Sequence, residues 1–166
     1  RNRALKKNLP KKEINIWTER LVLRGEKLGG YQLSFFEKFN LNLQNYLIKA
    51  GLKYKVEFLR EVRLKFNPGW DNFKSLGESL KEAENKDLIL GYTTQGPHRA
   101  DLIFYCNKRK ASSFLSKGQQ KLLILLIYLS LGDFFRQYYN SSSLLLIDDV
   151  CSELDKKNLA IIFEEI

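Results

Sequence analysis

The chain contains no methionine, two cysteines, three prolines and one histidine among 166 residues. The cysteines, Cys106 and Cys151, form no C-x-x-C pair, which argues against a disulfide framework and a thiolate zinc site, and both read as small core residues. The lone His98 follows Pro97 with no Cys, Asp or Glu at metal-ligand spacing, so it reads as structural and a zinc role is set aside. Long apolar runs are missing too. The longest, at 122–127 and 144–147, fall far short of the roughly 20 residues a membrane helix needs, and no basic-then-apolar signal stretch is present. A cytoplasmic location is the default expectation. The missing methionine, a helix-like start at Arg1-Asn2-Arg3-Ala4-Leu5-Lys6-Lys7 without a cap, and a helical pattern at Phe163-Glu164-Glu165-Ile166 suggest a piece of a longer protein.

What is present is apolar and basic. With 44% hydrophobic and 13% aromatic residues the chain can bury an ordinary core, which excludes disorder. The net charge of +9 is concentrated: 16 basic and 6 acidic residues precede Trp70, against 12 basic and 13 acidic from Trp70 onward. A basic excess of this size attracts phosphate backbones, and a solvated helical surface would explain it equally.

Between residues 11 and 47 the apolar positions Ile14, Trp17, Leu21, Leu28, Tyr31, Phe35, Phe39, Leu43 and Tyr46 recur at helix-face steps, predicting one or two long helices, with Gly29-Gly30 as a kink or break. Val62-Arg63-Leu64-Lys65-Phe66 alternates as a strand does and ends in the turn Asn67-Pro68-Gly69. A helix is expected over 71–85, a strand over 102–106 and a lysine-rich turn at 107–110. A very apolar helix over 117–137, a buried strand at 144–147 and a last helix from Glu153 follow. Strand, long helix, buried strand, helix is α/β order with a covered, parallel-rich sheet.

Two motifs carry chemistry. Ser116-Lys117-Gly118-Gln119 opens the most apolar helix and fits a capping box, which is sufficient structural reason for it. The pentad from Leu115 to Gln119 also sets a hydroxyl, a glycine that admits close approach and an amide at a helix N-terminus, where free N–H groups and the dipole bind anions. Leu144-Leu145-Leu146-Ile147 ends in Asp148-Asp149. Acids after a strand can be a surface turn, yet this is also where α/β folds place their ligands. In that second reading Asp148 holds Mg²⁺ through water and Asp149 orients the water attacking a γ-phosphate, with burial raising one of the two pKa values. Ser152-Glu153-Leu154-Asp155 is a further capping-box pattern. Gly91-Tyr92-Thr93-Thr94-Gln95-Gly96 has P-loop glycine spacing, but Pro97 and His98 stand where Lys and Ser/Thr must be, so it is no phosphate cradle.

In this order the motifs resemble the RecF family of the SMC-like branch of the ABC ATPases. Arg1-Asn2-Arg3-Ala4-Leu5 resembles the family's arm entry, Asn67-Pro68-Gly69-Trp70 the turn after the arm, and Gly96 to Leu102 its glycine-proline-histidine segment. Residues 115–120 resemble its signature loop, Ile147-Asp148-Asp149 its Walker B end, and Ser152 to Asp155 its D-loop. The chain departs at Ala100, where many members carry an acid, and keeps Asp101. The resemblance implies a helical arm over 1–60 and the C-terminal part of an ABC-type ATPase head over 61–166, lacking the N-terminal lobe with the P-loop. It implies two heads closing as an ATP-dependent homodimer on two ATP molecules with Mg²⁺. Ser116, Gly118 and Gln119 would contact ATP in trans, Asp148 and Asp149 would act in cis, and Ser152 and Asp155 would form the D-loop. It further implies DNA at single-strand gaps as ligand and RecR and RecO mediators as partners in loading RecA. Competing readings are another SMC-like head, which needs a far longer coiled coil, and a non-catalytic DNA- or partner-binding segment.

Overall fold

The structure is a computed structural model describing residues 1–148, 150, 152 and 154–166. The chain forms two compact units, one of residues 1–36 with 66–102, the other of residues 37–65 with 103–166. Each is built from pieces distant in sequence.

The thread common to both is α2, Lys11–Lys53, one uninterrupted helix of 43 residues. Gly29-Gly30 does not break it. In the first unit the buried stripe of α2 runs through its glycines: a Cβ on Gly25 would sit 2.5 Å from the Leu76 side chain, and one on Gly29 would sit 2.5 Å from the Trp70 ring. The missing side chains are what let Leu76 and Trp70 lie against the helix. Much of the expected apolar face therefore points outward, with Trp17 46%, Leu28 48% and Tyr31 64% exposed.

The rest of the first unit fits onto this stripe. α1 (Asn2–Lys6) buries Ala4 and Leu5 against Ile14. The expected helix over 71–85 starts later, at a capping box on Ser75 that opens α4 (Leu76–Glu82), and Ala83 separates it from α5 (Glu84–Leu90). Two motifs far apart in sequence press together here. Gly96 donates its N–H to the Gly69 carbonyl at 2.9 Å, while Asn67 Oδ1 accepts from the Gly69 N–H at 2.9 Å. Gly69 has φ +93 and no room for a Cβ beside the backbone of Gly96, Arg99 and Ala100, so glycine is required there.

Beneath this loop is a buried polar network. The Arg1 guanidinium, 5% exposed, pairs with the fully buried Asp87 carboxylate at 2.5 Å. It also donates to Thr93 Oγ1 at 2.8 Å and Thr18 Oγ1 at 3.0 Å. Asp87 Oδ1 accepts from the Thr94 N–H and hydroxyl at 2.9 and 2.7 Å, and Asn2 Oδ1 accepts the same pair of donors from Thr93. The glycine-bounded segment 91–96 is thus a loop held by α1 and α5, as its missing lysine implied.

In the second unit, α3 (Glu57–Glu61) leads into β1 (Val62–Asn67), whose start alternates buried and exposed residues. β2 (Asp101–Cys106) and β3 (Arg109–Lys110) form an antiparallel hairpin pairing Tyr105 with Lys110 and Cys106 with Arg109. Positive φ at both Asn107 and Lys108 gives the two-residue turn whose twist matches such a hairpin. The sheet has three strands in the order β1-β2-β3. It is small and antiparallel at the hairpin, so the mixed α/β class stands while the parallel-rich sheet is corrected.

The unit's core gathers Phe39, Leu43 and Leu47 of α2, Leu122, Leu126 and Phe134 of α7 (Lys117–Tyr139), and Ile161 and Ile162 of α8 (Lys156–Glu165). Cys106 is buried there, as expected of a small core residue, and Cys151 lies outside the described residues. Glu165 closes the unit from α8, accepting from Tyr46 at 2.8 Å, Tyr54 at 2.6 Å and Lys53 at 2.9 Å. Burial alone would raise the Glu165 carboxyl, but the bonds from Tyr54, Lys53 and Tyr46 outweigh it and hold the pKa below its ordinary value. The Tyr46 hydroxyl is pushed up, first by burial and then by its bond to Glu165. A depressed carboxylate contributes stability that is full above its unfolded pKa of about 4.3 and fades as pH falls through the lower folded value. Wild type is therefore expected to lose urea resistance between pH 5 and pH 3 more steeply than Glu165→Gln; parallel midpoint curves would contradict this role.

Candidate functional site

The four-residue helix α6 (Ala111–Phe114) ends at buried Leu115, which fixes the entry into α7. Ser116 is the N-cap: its hydroxyl accepts from the Gln119 N–H at 3.3 Å, and Gln119 Oε1 accepts from the Ser116 N–H at 3.0 Å. Gln120 Nε2 donates to the Leu115 carbonyl at 2.8 Å and to that of Ser112 at 3.1 Å, fastening the loop to the helix. The capping reading of this motif is fully realised. It still leaves the N–H groups of Lys117 and Gly118 uncapped in the first turn, at the positive end of a 23-residue helix.

That end opens on a cleft of about 1130 Å³, lined by Ser116, Gly118 and Gln119, by Lys55 and Arg60, and by Asp155, Lys157 and Asn158. Asp155 is the true N-cap of α8, accepting from the Asn158 N–H at 2.7 Å. The expected capping box at Ser152, with a helix from Glu153, is corrected: the helix begins at Lys156, where the carboxylate of Asp155 satisfies its first turn. Ser152 does something else. Its hydroxyl accepts from Lys121 Nζ at 2.7 Å and its carbonyl accepts from the same ammonium at 2.8 Å. Lys121 thus bridges α7 to the segment before α8. Its one sequence signal is a position three residues after Gly118, on the same helix face.

The carboxylate pair fares differently. Residues 141–147 form no strand; Leu144 is 86% and Leu146 84% exposed, while Leu145 at 38% and the half-buried Ile147 line a groove along α7 with Gly132 and Phe135. The expected buried strand is therefore an extended segment covered on one side. An apolar run becomes a strand by pairing its backbone, and no described strand of this chain lies beside this one. Asp148 is exposed at its end, so the burial expected there is absent. Asp149 and Glu153 lie outside the described residues. Among the described residues no group of three or more His, Cys, Asp or Glu gathers as a metal site, and no helix is long and apolar enough to cross a membrane.

The chain is a helix-rich member of the mixed α/β class whose longest apolar helix, α7, opens at a capped N-terminus on a cleft. No family model matches the chain. Curated relatives match it end to end. It is 35% identical over 169 residues to the DNA replication and repair protein RecF of Psychromonas ingrahamii, with 100% of this chain and 45% of the relative covered. It is 33% identical over 159 residues to the RecF of Hydrogenovibrio crunogenus, with 95% of this chain and 43% of the relative covered. A solved structure of the recombination mediator protein RecF-ATPrS in the RecFOR pathway aligns at a TM-score of 0.75 and 22% identity, over 97% of this chain and 46% of that one. The chain belongs to the RecF family, and it spans less than half the length of the relatives it matches.

Proposed function

We propose that this chain supplies the signature-loop face and the Walker B carboxylates of a DNA-dependent ATPase of recombinational DNA repair and replication-fork maintenance. The observation that carries the reading is the single cleft that Ser116, Gly118, Gln119 and Asp155 share at the N-terminus of α7. The residues fit a triphosphate. The uncapped N–H groups of Lys117 and Gly118 are donors at a positive helix end; Lys55, Arg60 and Lys157 line the cleft together with Glu57, Glu61 and Asp155, so the helix end rather than a net cationic lining supports the anion reading. ATP bound by a second head would supply the γ-phosphoryl group whose transfer to water drives opening and closing.

Ser116 and Gly118 would hold that phosphate in trans, Gln119 keeps the loop in register through its cap, and Asp155 lines the same cleft from the D-loop side. Asp149 would orient the attacking water in cis, and Asp148, exposed at the segment's end, would hold Mg²⁺, which would supply charge neutralisation to the phosphates when bound. Lys121 holds Ser152 and so couples α7 to the D-loop. In the whole protein two heads close as a homodimer on DNA at single-strand gaps and act with RecR- and RecO-type mediators to load RecA in the cytoplasm.

The test is ATP turnover on gapped DNA by the protein carrying this chain, against Asp149→Asn and Ser116→Ala. Asp149→Asn should lower turnover by roughly 10²-fold or more with ATP binding retained. Ser116→Ala should lower turnover too, while costing only about 1 kcal/mol of stability for the lost cap. Normal turnover in Asp149→Asn would remove the catalytic assignment.

A further inference from the structure

In the first unit a pocket of about 570 Å³ is lined by Arg1, Arg3, Arg20, Arg24, Trp17 and His98, and by no carboxylate. Arg1 is already committed to Asp87. Arg3, Arg20 and Arg24 are exposed, and among the described residues none of them has an ion-pair partner. Trp17, Arg20, Leu21 and Arg24 follow the i, i+3, i+4, i+7 steps of one face of α2, so helix geometry itself collects them. The Arg20 guanidinium stands over the Trp17 ring, 5.3 Å from its centre, and Trp17 as a residue remains 46% exposed. Three unpaired cations converging on one concavity repel one another, an arrangement an anionic ligand relieves.

We propose that this pocket binds single-stranded DNA, with Arg3, Arg20 and Arg24 taking backbone phosphates and Trp17 offering its face to an unpaired base. Guanidinium forks match phosphate oxygens in pairs, and Arg20 and Arg24 stand about one helical turn, roughly 5.4 Å, apart along α2. The half-exposed indole favours a nucleic acid strand over an acidic peptide, since a base has a face to stack and a carboxylate has none. The inference rests on the reading of the chain as part of a DNA-repair protein and adds to it where a strand is held.

The experiment measures fluorescence anisotropy of a labelled oligothymidine against the protein carrying this chain, over a salt series. Arg20→Ala with Arg24→Ala should weaken binding about tenfold or more. The slope of log affinity against log salt should become shallower by roughly 1.4, at about 0.7 for each of two phosphates no longer neutralised. Trp17→Leu should weaken binding with the slope unchanged. Both arginines are exposed, and Arg20→Gln with Arg24→Gln repeats the test should the alanine pair melt early. Wild-type affinity and slope in the double variants, or tighter binding of a polyglutamate peptide than of oligothymidine at equal salt, would overturn the proposal. ATP turnover at saturating gapped DNA separates the two readings: its loss in Asp149→Asn with strand binding unchanged in the arginine variants leaves the ATPase and removes the pocket. Strand binding that maps to the pocket without any turnover leaves the pocket and removes the ATPase.

Discussion

Asp87→Ala is expected to cost about 3–5 kcal/mol of stability, because it strands a guanidinium that water cannot reach. Arg1 is 5% exposed and, among the described residues, its one ion-pair partner is Asp87, itself fully buried. Two threonine hydroxyls would remain on Arg1, which are too weak to compensate a buried charge. The same substitution releases Thr94, whose N–H and hydroxyl both end on Asp87 Oδ1. The effect should therefore reach segment 91–96 and Thr93, which lines the basic pocket beside Arg1. Thermal and urea unfolding would measure it. Asp87→Asn should fall between wild type and alanine, since the amide oxygen can still accept. A loss under about 1 kcal/mol in Asp87→Ala, the range of exposed ion pairs, would mean that the network is solvated in the folded protein.

The second large effect is expected at Phe134. Its ring is fully buried, edge-on to Phe39 of α2 at 5.6 Å and 4.6 Å from Tyr138 one turn along α7. Phe134→Ala removes the ring that joins the C-terminal half of α2 to α7 and leaves a cavity between Phe39 and the aromatic side chains of α7. A cost of about 3–5 kcal/mol follows from lost transfer energy plus cavity. Phe134→Leu should recover much of this by filling most of the volume. The near-ultraviolet circular dichroism of the aromatic cluster provides a second reading. Unchanged melting in Phe134→Ala would show that α7 is held by α8 and the capping loop alone.

Local rules were legible in the sequence because they are local. The cap at Ser116 is written in one turn of residues, and the expected helix over 117–137 lies close to the observed span of α7 because its apolar character is itself local. The order of the family motifs was equally readable, since it needs no geometry. What failed required a partner from elsewhere in the chain. Glycines on α2 look like breaks until Trp70 and Leu76 lie in the space they leave. The apolar run at 144–147 looks like a buried strand until one asks which backbone it pairs with.

Residue order and spacing were enough to set the main helices, the cap of α7 and the basic surplus before Trp70, all of them properties of near neighbours. It took the folded chain to establish that Asn67-Pro68-Gly69 rests on Gly96, that Arg1 meets Asp87, and that Asp155 shares a cleft with Ser116. Those pairings join residues tens of positions apart. Their energy comes from burial and pairing that no local window contains, so the fold had to bring them together before they could be read.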